Sequence, residues 1–222
     1  MKRFWVSLLT VLIYALAQFL PGMLLRSGLI QPEKGMETTQ FMIYTQVSLF
    51  IVAAILIIFI NLYIKNPTRL EAGVKESKRY IISWALLGFC IVMVYQVVVS
   101  LIYTLVLGQQ QQSPNTERLM AIAKQMPVFI ILISVVGPIL EEFVFRKVLF
   151  GELYNAIKGN RIVAFLIASI VSSLLFALAH NDIKFLPMYF GMGMLFSLAY
   201  TYTHRIAIPC LLYTSDAADD SL

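Results

Sequence analysis

Six uninterrupted apolar stretches, near residues 4–25, 41–64, 80–107, 127–145, 162–180 and 185–203, fill most of this 222-residue chain, and a seventh begins near Ile206. Each is long enough to cross a hydrocarbon core of about 30 Å, which takes roughly 20 helical residues. Water is missing from that core, so a crossing backbone must satisfy its own hydrogen bonds, and a helix does this within one segment. The expected fold is all-α: a polytopic transmembrane helix bundle with six complete spans and a truncated seventh. Residues 1–209 then form a single integral membrane domain, multi-pass in the cell membrane. Composition agrees, with 59% hydrophobic residues, 13% charged and a mean hydropathy of +0.81, unlike a soluble domain or a disordered chain. The first run is too long for a cleaved signal peptide, and no small-residue cleavage site follows it.

Orientation follows from Lys and Arg in the short loops. Lys2 and Arg3 precede the first span, and Lys65, Arg69, Lys75, Lys78 and Arg79 follow the second. Both sets belong on the cytoplasmic side, which places the N-terminus in the cytoplasm. The stretches 26–40 and 108–126, the latter with four consecutive glutamines, fall outside. Arg146, Lys147, Lys158 and Arg161 return the chain to the cytoplasm after the fourth span. The net charge of +5 is thus a topology signal, and nucleic acid is not an expected partner.

Cys90 and Cys210 offer neither a disulfide framework nor a Cys-x-x-Cys motif, and no repeat suggests an inverted-repeat transporter. From Cys210 the chain reads Cys-Leu-Leu-Tyr-Thr-Ser-Asp-Ala-Ala-Asp-Asp-Ser-Leu, which matches the translation of a common transposase-based sequencing adapter. Residues 210–222 are therefore expected to be adapter read-through, excluded from fold reasoning. The natural chain is then expected to continue past Pro209. A genuine polar tail is the alternative.

Ionisable groups inside apolar helices are costly and mark functional positions. Glu142 and Arg146 stand four apart with the acid nearer the N-terminus, the favourable order for an ion pair. Glu141 is displaced about 100° around the helix and cannot share Arg146 in the same geometry. An unpaired carboxylate in an apolar bundle suits a general base or acid. Pro138, one turn earlier, is expected to free a backbone carbonyl and kink the helix. His180 tests the idea by depth. If spans four and five form a hairpin turning near Gly159, Glu141 lies 18 residues before the turn and His180 lies 21 after it, a height difference of only about 4 to 5 Å. The two can meet across the hairpin, in a pocket toward the outer half of the bilayer. The same position also fits an interfacial histidine satisfied by water beside Asn181 and Asp182. His204, 24 residues beyond His180, is carried roughly 30 Å away and reads as a cytoplasmic interface residue. Gly191 and Gly193 permit close helix approach, and packing accounts for Phe176.

Glu141, Glu142 and Arg146 as Glu-Glu-x-x-x-Arg, then Phe176 and His180 as Phe-x-x-x-His, precede a Gly-rich span and the segment Thr-His-Arg-Ile-Ala-Ile-Pro. This ordered set resembles the CPBP, or Abi, family of intramembrane proteases, which includes type II CAAX prenyl proteases and bacteriocin self-immunity proteins. The resemblance covers roughly residues 125–209. It implies an endopeptidase that cleaves a peptide or membrane-protein substrate, prenylated or bacteriocin-like, in the lipid bilayer. It further implies that Glu141 and His180 activate a water, with Glu142, Arg146 and Phe176 supporting the site. A divalent metal such as zinc on Glu141 and His180 is an open expectation, since a catalytic zinc usually has three protein ligands. The family's third motif, His-x-x-x-Asn or His-x-x-x-Asp, is missing, and Tyr213 to Ala217 take its place. On that expectation the chain as written is inactive. A non-catalytic membrane protein for bacteriocin self-immunity, engaging a receptor or peptide, is the alternative, and a proton-coupled transporter the second alternative.

Overall fold

Apolar runs of this length have one low-cost conformation in lipid, and the chain adopts it throughout. The computed structural model describes residues 2–32, 35–65, 67–108 and 113–219, with the backbone alone for 2, 107 and 215–219. Among the described residues there are eight helices: α1 (Lys2–Arg26), α2 (Thr38–Tyr63), α3 (Ile81–Leu107), α4 (Pro114–Gln125), α5 (Val128–Ala156), α6 (Arg161–Ala179), α7 (Leu186–Thr203) and α8 (Ala207–Asp219). Five of these, α1, α2, α3, α5 and α6, are long and apolar enough to cross a membrane. The sixth expected span corresponds to the 18-residue α7, which its tyrosines make less apolar and which is not among these five. At 13 residues, α8 is shorter than a crossing needs.

The central element is α5, with 61% of its apolar window buried against 6% to 39% for the other four. Leu132, Val136 and Leu140 pack on Phe50, Ala54 and Ile57 of α2, while its second half packs on α6 and α7. It is not a uniform α-helix, because Leu132–Val136 and Phe143–Phe150 are π-helical. The first widening precedes Pro138, which has no N–H for the Ser134 carbonyl, and a π-turn absorbs the missing bond. The expected disturbance at Pro138 is thus a local change of helix type.

Two sequence expectations need correction. Spacing ends the fourth span at 145 and has Arg146 and Lys147 return the chain to the cytoplasmic side. The helix instead runs to Ala156, because both cations find carboxylates inside the fold. Arg146 Nη1 lies 2.8 Å from Glu142 Oε1 with both side chains fully buried, and Lys147 Nζ lies 2.9 Å from Glu71 Oε1. The turn falls at 157–160, around Gly159 at φ +98°, a conformation glycine adopts without steric cost. There Asn160 Oδ1 accepts a hydrogen bond from Ile162 N at 2.8 Å and caps α6. Likewise, the stretch 108–126, expected to be an outside loop, is not all loop. It contains α4, started by Ser113 at the N-cap with Pro114 behind it. The four glutamines at 109–112 lie outside the described residues.

Helices α6 and α7 pack closely, and the glycines explain why. A Cβ on Gly193 would sit 2.8 Å from Ser173 Cβ on α6, and one on Gly191 would enter the Tyr95 side chain of α3. Helix α8 closes the bundle, with Ile208 and Leu212 buried against Val92, Met192 and Phe196. It continues past Cys210 to Asp219, and residues 220–222 lie outside the described residues.

Candidate active site

The Glu142–Arg146 pair spans one widened turn of α5. Burying two charges is offset only when their surroundings complete the pair. Here aromatic faces do part of this, while Glu142 Oε2 and Arg146 Nε and Nη2 are buried without a hydrogen-bond partner among the described residues. The Arg146 guanidinium lies 4.2 Å from the Phe176 ring centre and 5.0 Å from that of Phe196, cation–π contacts that strengthen on desolvation. Phe176 is fully buried and touches more than the cation. Its ring meets Phe145 edge-on at 5.3 Å, His180 at 4.6 Å and Tyr213 at 5.6 Å. The residue that packing alone would explain is the bridge between the first motif and the histidine.

His180 ends α6, half-buried, and the chain turns there through Asn181 at φ 53°. Its Nδ1 lies 2.8 Å from the Phe176 carbonyl oxygen. A carbonyl can only accept, so the neutral ring carries its proton on Nδ1 and keeps a lone pair on Nε2. That lone pair faces the Tyr213 hydroxyl at 3.2 Å, which donates to it. Tyr189 stacks on the imidazole with centroids 4.1 Å apart at 22°.

His180, Tyr189 and Tyr213 form one wall of an open-sided cavity of about 870 Å³, lined elsewhere by α3, α4 and α7. Met93, Met120, Met188 and Met192 supply much of its apolar surface, and Gln96, Asn115 and Thr116 its polar points. Glu141 is not among the lining residues. It sits one position before the ion pair, half-buried, with Oε2 fully buried and without a hydrogen-bond partner among the described residues. The structure therefore joins Glu142, Arg146, Phe176 and His180 in one chain of contacts and leaves the Glu141 carboxylate unspent beside it. His204 caps the far end of α7 at φ 54° and packs on Gly73, remote from His180 as spacing implies.

A zinc ion fits poorly. No group of three or more His, Cys, Asp or Glu side chains converges among the described residues, and Glu141 with His180 falls short of the three protein ligands a catalytic zinc takes. Sequence reasoning missed Tyr189, which stacks on His180 from α7, and Ser113, which bonds the Tyr189 hydroxyl from the start of α4. Ser113-Pro114 did carry a signal, an N-cap residue followed by proline at the first helical position.

A family model for type II CAAX prenyl endopeptidases, Rce1-like, matches residues 123–215. The membrane-embedded CAAX protease MroQ of Staphylococcus aureus (strain USA300) is 60% identical over 213 residues, 96% of this chain and 86% of that protein. The putative membrane peptidase YdiL of Bacillus subtilis (strain 168) is 33% identical over 213 residues, 94% of this chain and 83% of its own length. No solved structure matches. With Glu142, Arg146, Phe176 and His180 in one chain of contacts, Glu141 beside it, and relatives this similar over nearly the whole length, the chain belongs to the CPBP family of membrane proteases.

Proposed function

We propose that this protein is an intramembrane endopeptidase in which Glu141 and His180 activate the attacking water. Nε2 of His180, with its lone pair, holds one water hydrogen. Glu141 takes the other as the water oxygen bonds to the scissile carbonyl carbon. When the tetrahedral intermediate collapses and the C–N bond breaks, Glu141 returns that proton to the leaving amine. Glu142 and Arg146 hold Phe176, which in turn holds the imidazole. The observation that carries this reading is the place of His180 on the wall of a largely apolar cavity of about 870 Å³, with its Nδ1 held by the Phe176 carbonyl. A cavity of that size takes a peptide segment. The substrate class is a peptide or membrane protein, prenylated or bacteriocin-like, reached with the N-terminus of the enzyme in the cytoplasm and the site in the outer half of the bilayer.

Tyr213 occupies the place of the third motif's first residue and caps Nε2, so cleavage by the chain as written is expected to be slow. Restoring the motif by Tyr213→His with Ala217→Asn is expected to raise it. In that background, in proteoliposomes with a fluorogenic peptide panel, Glu141→Ala and His180→Ala should each lower cleavage by at least about 100-fold. Full activity in either variant would sink the mechanism. A second reading is favoured by the same Tyr213 contact: a non-catalytic membrane protein that binds a peptide or receptor in the cavity, as in bacteriocin self-immunity. Binding that survives Glu141→Ala, with no cleavage in the restored background, would select it.

A further inference from the structure

Ser113 starts α4, yet its hydroxyl does more than cap a helix. Its Oγ lies 2.6 Å from Asp182 Oδ2, 3.0 Å from the Tyr189 hydroxyl and 3.4 Å from Thr116 N. A serine hydroxyl has one proton and two lone pairs. The carboxylate and the amide fix two of the three roles: Ser113 donates to Asp182 and accepts from Thr116. The third follows, so Tyr189 donates to Ser113. The result is a directed chain, Tyr189 to Ser113 to Asp182, with Ser113 and Asp182 both buried. An N-cap needs only to accept. This one also reaches partners 69 and 76 residues away.

We infer that Ser113, Asp182 and Tyr189 are positioning residues for His180. The Phe176 carbonyl holds one edge of the imidazole, and the Tyr189 ring sets its plane by stacking at 4.1 Å. Tyr189 is in turn pinned at its hydroxyl by Ser113. Asp182 lies two residues past His180, beyond the left-handed Asn181, so the same hydrogen bond anchors the turn that ends α6. Because α4 also lines the cavity, the seating of that helix is mechanically tied to the orientation of the imidazole. None of these residues lies beyond Pro209. What the imidazole does rests on the protease reading, but its placement does not.

The test uses the full chain in nanodiscs with ¹⁵N-labelled histidine. There are two histidines, so His204→Gln assigns the His180 ring signals. Tyr189 stacking shields the His180 ring protons. In Ser113→Ala and in Tyr189→Phe, which keeps the ring but frees its end, those protons should move downfield in the same direction. Ser113→Thr should restore the wild-type positions, and Ser100→Ala, on the cavity wall, should leave them in place. Unmoved His180 signals in both Ser113→Ala and Tyr189→Phe, with the remaining spectrum intact, would overturn the assignment, as would Ser113→Thr behaving like Ser113→Ala. If these shifts appear while Glu141→Ala still cleaves, the relay stands and the water-activation reading fails.

Discussion

Replacing Glu142 by glutamine should be far more damaging than its small change of shape implies. The substitution leaves Arg146 at 0% exposure with no countercharge. At 2.8 Å and an effective dielectric of about 20, the attraction removed is about 6 kcal/mol. Part of that was offset by the cost of desolvating the carboxylate, and cutting one partner of a buried pair costs about 3–5 kcal/mol in practice. A guanidinium cannot shed its proton to escape. Arg146→Met is expected to cost less, because a lone carboxylic acid can neutralise itself by taking a proton. The methionine also keeps contact with Phe176 and Phe196. Glu142→Gln with Arg146→Met should recover most of the loss, since apolar replacement of a buried pair is often close to neutral. The assay is a double-mutant cycle read from denaturant midpoints in detergent micelles. A single Glu142→Gln within about 1 kcal/mol of the parent, or a double variant no more stable than that single one, would show that the pair is not the buried unit described.

Gly193→Ala should destabilise the bundle by about 1–3 kcal/mol, because its Cβ would meet Ser173 Cβ at 2.8 Å. Ser173→Gly in the same chain should return much of that, and thermal melts of the single and double variants decide it. Equilibrium dialysis against zinc should find no binding site that His180→Ala removes, and one tight ion per chain lost in that variant would refute the donor-set argument. Reporter fusions in the 157–160 turn should report cytoplasm and fusions near Ser27 the outside, with the reverse pattern overturning the proposed orientation.

The amino-acid sequence by itself determined the helices that cross, because a hydrocarbon solvent leaves a long apolar run one conformation. It also determined what lies within one or two turns: the Glu142–Arg146 pair, the turn at Gly159, the disturbance at Pro138 and the glycines where α7 meets its neighbours. His204 went to the far end of α7 by helical rise alone. Tertiary structure decided the rest, because it depends on partners that spacing does not reveal. The faces of Phe176 and Phe196, which seat the Arg146 guanidinium, come from other helices and were not legible in the spacing. Helix α4 hid in the stretch expected to be a loop because its start is secured across the fold, Ser113 to Asp182, as well as by its own propensity. Phe176 changed from packing residue to bridge only once Arg146 and His180 stood on either side of it. Glu141 remained distinct in both views for one physical reason: its neighbour had already taken the only cation within reach along the helix.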